Sequence, residues 1–120
     1  MRSELQAFLK TLHSRVYFQT APKIAVFPYI VYDFSSTINS GEYDEITMVD
    51  ITAWDKPSNG DSTVVENLIT TINEGLNKKV IEGDGFSVIF YLNSKVYTRD
   101  KDVRLKRRLY TYEATKYEGG

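Results

Sequence analysis

Two stretches of the chain carry an apolar stripe at helical period, and each is followed by stretches that alternate at period two. That switching of periods constrains the fold more than any other feature. Leu5, Phe8, Leu9 and Leu12 fall at i, i+3, i+4 and i+7, which predicts a helix over 4–13. Val65, Leu68, Ile69, Ile72 and Leu76 form a second stripe, over 63–78. Ser3 with Gln6, and Thr63 with Glu66, have the spacing of capping boxes. Both helices are too short to stand alone and must bury their stripes on something.

The segments between them read as strands. In "APKIAVFPYIVYDF" (21–34), Pro22 and Pro28 push their predecessors toward extended geometry, and Ile30, Tyr32 and Phe34 then alternate with Tyr29, Val31 and Asp33. "RVYFQTAPK" before Pro28 reads as a connector, and "SSTINSGEYD" (35–44) as a long hairpin loop rich in turn residues. A second strand runs over 45–54, with Thr47, Val49, Ile51 and Ala53 on one face. A break follows at 55–61. After the turn "EGDG", residues 86–92 alternate again, with Phe86, Val88, Phe90 and Leu92 on one side. Residues 93–102 read as a polar connection with a short extended piece at Val96–Thr98, and the last strand spans 103–117. Its alternation slips near Lys106–Arg108, which suggests a bulge there or an edge position. The expected fold is α+β: an antiparallel sheet of about four strands with two helices packed on one face, in the order α-β-β-α-β-β. One domain covers 1–120, with 118–120 as a frayed tail.

Composition removes several function classes. The chain has no cysteine, which excludes disulfides, thiol nucleophiles and thiolate metal sites. No stretch approaches the ~20 apolar residues that span a bilayer, and the opening "MRSELQAFLKTLHS" lacks a signal-peptide core. A soluble intracellular protein without membrane partners is expected. The single histidine, His13, ends the first helix, where it commonly steadies the last carbonyls. The acids follow no calcium-loop spacing, and neither "GDG" nor "NGDST" is a phosphate-cradling motif. No catalytic, metal or cofactor residues are assigned, and an enzyme is not expected. Asp50 stands within a strand, where pairing with an arginine of the last strand is expected.

The net charge of −1 hides a polarity. Residues 28–61 hold seven acids and one base, a balance of −6, whereas 95–120 hold eight bases and four acids, a balance of +4. Six of the ten residues 99–108 are basic, and Tyr110 and Tyr112 follow. A basic strand beside aromatics can track phosphates and stack bases, or it can be a solvated edge that resists aggregation.

Four pieces of the sequence carry a resemblance: the amphipathic opening helix; "VYFQTAPKIAVFPYIVY"; "MVDITAWDK" leading into "STVVENLITTINEGL"; and the closing "RRLYTYEATKY". Over 4–117 the chain resembles the small tail-completion proteins of long-tailed bacteriophages and prophages, also called tail terminators or tail-to-head joining proteins. The resemblance implies a structural virion protein, made in the host bacterial cytoplasm and placed in the tail or neck. Such proteins close as a ring, typically a hexamer and monomeric before docking, on the finished tail tube. They halt its growth and meet the head connector, while DNA passes through the lumen without sequence readout. On that reading Arg99, Arg104, Lys106, Arg108, Tyr110 and Tyr112, with Asp50 and Asp55, are candidates for the subunit interface or the lumen. Ser40, Glu42, Tyr43, Asp44, Lys56 and Asn59 mark loops that could contact tube or head partners. The alternatives are a head-completion or neck protein of the same particle, and a small nucleic-acid-binding domain using strand 99–112.

Overall fold

Helix α1 (Arg2–Leu12) buries Leu5 and Leu9 completely and packs Phe8 and Leu12 against the core, as its stripe predicts. In a computed structural model, which describes residues 1–40, 44–99 and 104–118, the remaining elements follow in order. They are β1 (Val16–Phe18), β2 (Tyr29–Ser40), β3 (Asp44–Asp55), α2 (Thr63–Leu76), β4 (Val80–Gly83), β5 (Phe86–Arg99) and β6 (Lys106–Glu118). Neither capping box forms. Met1 caps α1 and Ser3 turns to Glu4, while Gln6 reaches the carbonyl of Val16. At α2, Asp61 instead of Thr63 supplies the acceptor, receiving the Thr63 N–H and hydroxyl. These two bonds favour the ionised carboxylate and hold Asp61 below the usual range. Glu66 is drawn away to Arg108.

The sheet differs from the expected one. It has six strands in the order β1-β2-β3-β6-β5-β4, and β1 runs parallel to β2. The four-stranded, all-antiparallel sheet with both helices on one face is therefore corrected to a single mixed, curled sheet shaped like a half-barrel. Right-handed strand twist accumulates over six strands, and α1 touches both edge strands, β1 and β4, while α2 lies along β3, β5 and β6. Two short strands lay in stretches without an alternating signature. "VYF", read as part of a connector, pairs with Ile30–Tyr32, and "VIEG" pairs with Phe86–Ile89 through an Asp84–Gly85 turn with Gly85 at φ 77°.

The long strands also outrun their expected ends. The supposed loop 35–44 is strand as far as Ser40 and again from Asp44, and residues 41–43 lie outside the described residues. The connection 93–102 is strand through Arg99. β6 sits between β3 and β5, so it is no edge strand, and its pairing is unbroken from Lys106 to Glu118. The bulges fall elsewhere, at Phe34/Ser36 on β2 and Leu92/Ser94 on β5. Glu118 pairs with Phe86, and 119–120 lie outside the described residues.

The core is where the two periods meet. Ile30, Tyr32, Val49, Ile51, Ala53, Val88, Phe90, Tyr112 and Ala114 present the inward parity of four strands to Val65, Leu68, Ile69, Ile72 and Leu76 of α2. The molecule is long, 50 × 24 × 23 Å, because the β2–β3 and β5–β6 hairpins extend toward opposite ends.

Candidate functional site

Each sequence-derived residue takes its place from the strand register. Asp55 lies opposite Lys106, and Lys106 opposite Arg99; the side chain of Arg99 is outside what is described. Arg104 precedes β6 and is exposed. Arg108 has the same parity as Lys106, Tyr110 and Tyr112, so it points inward. An arginine on a core face needs a partner. Glu66 of α2 provides one at 2.5 Å, and the guanidinium also lies over Tyr97, 5.5 Å from the ring centre. Lys95 lies over Tyr110 at 5.1 Å. The slip at Lys106–Arg108 is thus a true inward charge, satisfied by the second helix, and no bulge is needed.

Tyr110 and Tyr112 are buried. Tyr112 donates its hydroxyl to Asn73 at 2.7 Å, and burial pushes its titration well above the usual tyrosine range. Burial raises Tyr110 too, helped by the neighbouring Tyr97. Both rings are turned to the core and not to a surface that could stack bases. Among the described residues, Asp50 does not pair with an arginine. It accepts the hydroxyl of Thr111 at 2.8 Å and faces Asp33 across the β2–β3 pair on the outer side of the sheet.

The contact loops separate. Lys56 and Asn59 belong to the turn after β3, at the same end as the β5–β6 hairpin tip; Asn59 accepts the Asp61 N–H there. Ser40 and Asp44 close the β2–β3 pair at the opposite end, and Glu42 and Tyr43 lie outside the described residues. The acidic region therefore does not form one flank: Asp55 and Asp61 share the basic end, and Glu45 lies at the far one.

His13 caps α1 with its backbone N–H to Leu9, and its Nε2 lies 3.0 Å from the carbonyl of Pro28. Arg15 donates to the same carbonyl at 3.0 Å. Histidine and arginine together fix the start of β2, a positioning role. A cleft of about 480 Å³ is lined by Met1, Arg2, Ser3, Gln6 and Tyr32, with Arg2 as its one charged side chain.

Two surface features escaped the sequence reading. The first is an aromatic group on the outer face at the basic end. Tyr17 meets Tyr29 edge-on at 5.8 Å, Phe27 lies 5.1 Å from Tyr29, and Tyr29 stacks toward Trp54 at 6.4 Å. Arg107 covers Trp54 at 5.3 Å, and Ile24, 88% exposed, projects from the adjoining segment. The unalternated "KIAVF" was the available signal.

The second feature is a pair of open sheet edges. β1 covers β2 only at Ile30–Tyr32, with two flanking bonds, from the Gln19 N–H to the Tyr32 carbonyl and from the Ile30 N–H to the Arg15 carbonyl. β4 covers β5 only at Phe86–Ile89, and Lys78, Lys79 and Asn77 then satisfy Phe90 and Leu92. Among the described residues, no strand lies beside β2 after Asp33 or beside β5 after Asn93. Ile38, Val96 and Tyr97 sit on these open stretches at 58%, 41% and 62% exposure.

No protein-family model matches the chain, and no curated protein sequence matches it. Its fold is similar to that of a chain in the structure described as "Virion of native gene transfer agent (GTA) particle". The TM-score is 0.71 at 12% identity, over 98% of this chain and 91% of that one. At that identity the likeness is one of fold, and it takes in both helices and the whole mixed sheet.

Proposed function

We propose that the chain is a structural component of a phage-like particle, and within it a tail-completion protein. It closes as a ring on the tail tube, stops further tube subunits from adding, and presents the surface that meets the head connector. The role is one of assembly and not of catalysis. The observation that carries this reading is the fold likeness to a gene transfer agent virion chain over nearly the full length of both chains. The sequence resemblance to tail-completion proteins points the same way. So does the shape: an elongated molecule with an open sheet edge toward each end suits repeated side-by-side contact.

The basic hairpin fits an interface better than a nucleic-acid track. Lys95 and Arg108 are engaged with Tyr110, Tyr97 and Glu66, and Tyr110 and Tyr112 are core residues. Arg104, exposed just before β6, and Lys106, which opens β6 opposite Asp55, are the residues to test.

The test is kinetic. Polymerising tail-tube subunits of the same particle are followed by light scattering, and tube lengths are measured with and without this protein. Substoichiometric protein is expected to shorten the tubes and lower the plateau. The double variant Arg104→Glu, Lys106→Glu should need a several-fold higher concentration for the same effect. Unchanged tube lengths at stoichiometric protein would refute capping.

A further inference from the structure

The two open edges are complementary in direction, face and side chains. β2 and β5 run in opposite directions within the one sheet, because three antiparallel pairings separate them. Placed side by side in two copies of similar orientation, they form an antiparallel pair. Neither edge carries a proline or a glycine in its open stretch, and both are long enough for several ladder bonds.

The pleat selects a register. Ile38 shares a row with Ile46, Thr115 and Ile89, and Val96 shares one with Leu109, Thr52 and Val31, so both point to the outer face. Thr37 shares a row with the buried Thr47, and Tyr97 with Arg108, so these two point to the inner face. Setting Ile38 against Val96 therefore sets Thr37 against Tyr97, and every residue keeps its face. Two exposed apolar side chains cover each other, and a β-branched residue meets an aromatic one. One row further, Lys95 stands against the position of Asn39, which pairs with Glu45 on the same face. A cation on one copy then approaches an acid on the next.

We propose that a second copy of this chain adds the β5 edge Ser94–Arg99 antiparallel to the β2 edge Phe34–Ser40, with Val96 opposite Ile38. The contact is heterologous, since each copy offers one edge to either neighbour, and such contacts close into rings or run on as filaments. The rows of Ile38 and Val96 lie six residues apart on β3, from Ile46 to Thr52. At ~3.3 Å per residue, each copy is offset by about 20 Å along the strands, so strands in a closed ring run obliquely to its axis, as in barrels. The choice of a second copy as occupant rests on the ring reading above.

The absence of native cysteine makes cross-linking a clean test. Directly opposed strand residues lie close enough for a disulfide. The variant carrying both Ile38→Cys and Val96→Cys is oxidised alone and with polymerised tail tubes. It is expected to give a ladder of covalent multimers in at least one condition. An equimolar mixture of the two single variants should give dimers only, and each single variant alone should stay monomeric. Ile38→Cys combined with Lys95→Cys, on opposite faces, should cross-link at least tenfold less. The pairing is overturned by no ladder in either condition, by dimers from either single variant alone, or by equal cross-linking of the face-mismatched pair. Tubes that are capped without a ladder would sink this pairing and leave the capping role. A ladder without capping would do the reverse.

Discussion

Arg108 shows most clearly what one residue decides. An arginine at an inward parity looked like a fault in the alternation of the last strand, yet it is matched across space by Glu66 of α2. Removing one partner of such a pair costs more than removing the charge that needs it. Glu66→Gln is expected to destabilise the chain by about 1–2 kcal/mol, while Arg108→Met, apolar and of similar length, should stay within about 1 kcal/mol of the parent. Urea unfolding midpoints would show it, and equal losses from both changes would contradict the account. Sequence could show the misplaced charge but not its partner, because Glu66 is 42 positions away and spacing alone suggested a helix cap.

The buried hydroxyls have a pH signature. Burial raises Tyr29, Tyr32, Tyr110 and Tyr112 above their ordinary value, with Arg2 partly offsetting the shift at Tyr32. An exposed tyrosine titrates near ~10, so above that pH the unfolded chain loses protons that the folded chain retains. The stability that these groups contribute is complete below about pH 10 and is lost as pH rises beyond it. Melting temperature should therefore be flat across neutral and mildly alkaline pH and fall from about pH 10, less steeply in Tyr112→Phe. A midpoint that does not fall above that pH would contradict the burial.

At the scale of elements, the helices were legible and much of the sheet was not. Both stripes read correctly because each helix contributes its own periodicity. Strand length is set by neighbours, so "SSTINS" looked like a loop, and "NSKVYTR" like a connection with only Val96–Thr98 extended, although hairpin pairing holds both as strand. β1 and β4, of three and four residues, have too few positions to show alternation. Leu9→Ala would empty a fully buried site on α1, the helix that touches both edge strands, at a cost of ~2–4 kcal/mol. Where the helices meet, a side chain on Gly75 would come within 2.8 Å of the Leu12 side chain. Gly75→Ala, with the flexible end of Leu12 able to turn aside, should stay within about 1 kcal/mol of the parent. Gly75→Leu should lose about 1–3 kcal/mol by forcing α1 and α2 apart. The ratio of the two effects in chemical denaturation tests whether the helices meet there.

For the whole molecule, the consequence of the curl is a body with its helices held against the sheet and two hairpins extended in opposite directions. The net charge balance along the sequence suggested an acidic and a basic flank. Folding redistributes those charges, placing Asp55 and Asp61 beside the basic hairpin and leaving Glu45 at the far end. What repeats from copy to copy is therefore better sought in the sheet edges than in a simple dipole. The proposal to be tested at this scale is that the chain terminates a tail tube as a closed assembly. The most direct measurement is to add gold-labelled protein to finished tail tubes of the same particle and image them by electron microscopy. The account predicts label at one end of each tube and none along the walls. Label scattered along the tubes, or missing from their ends, would contradict it.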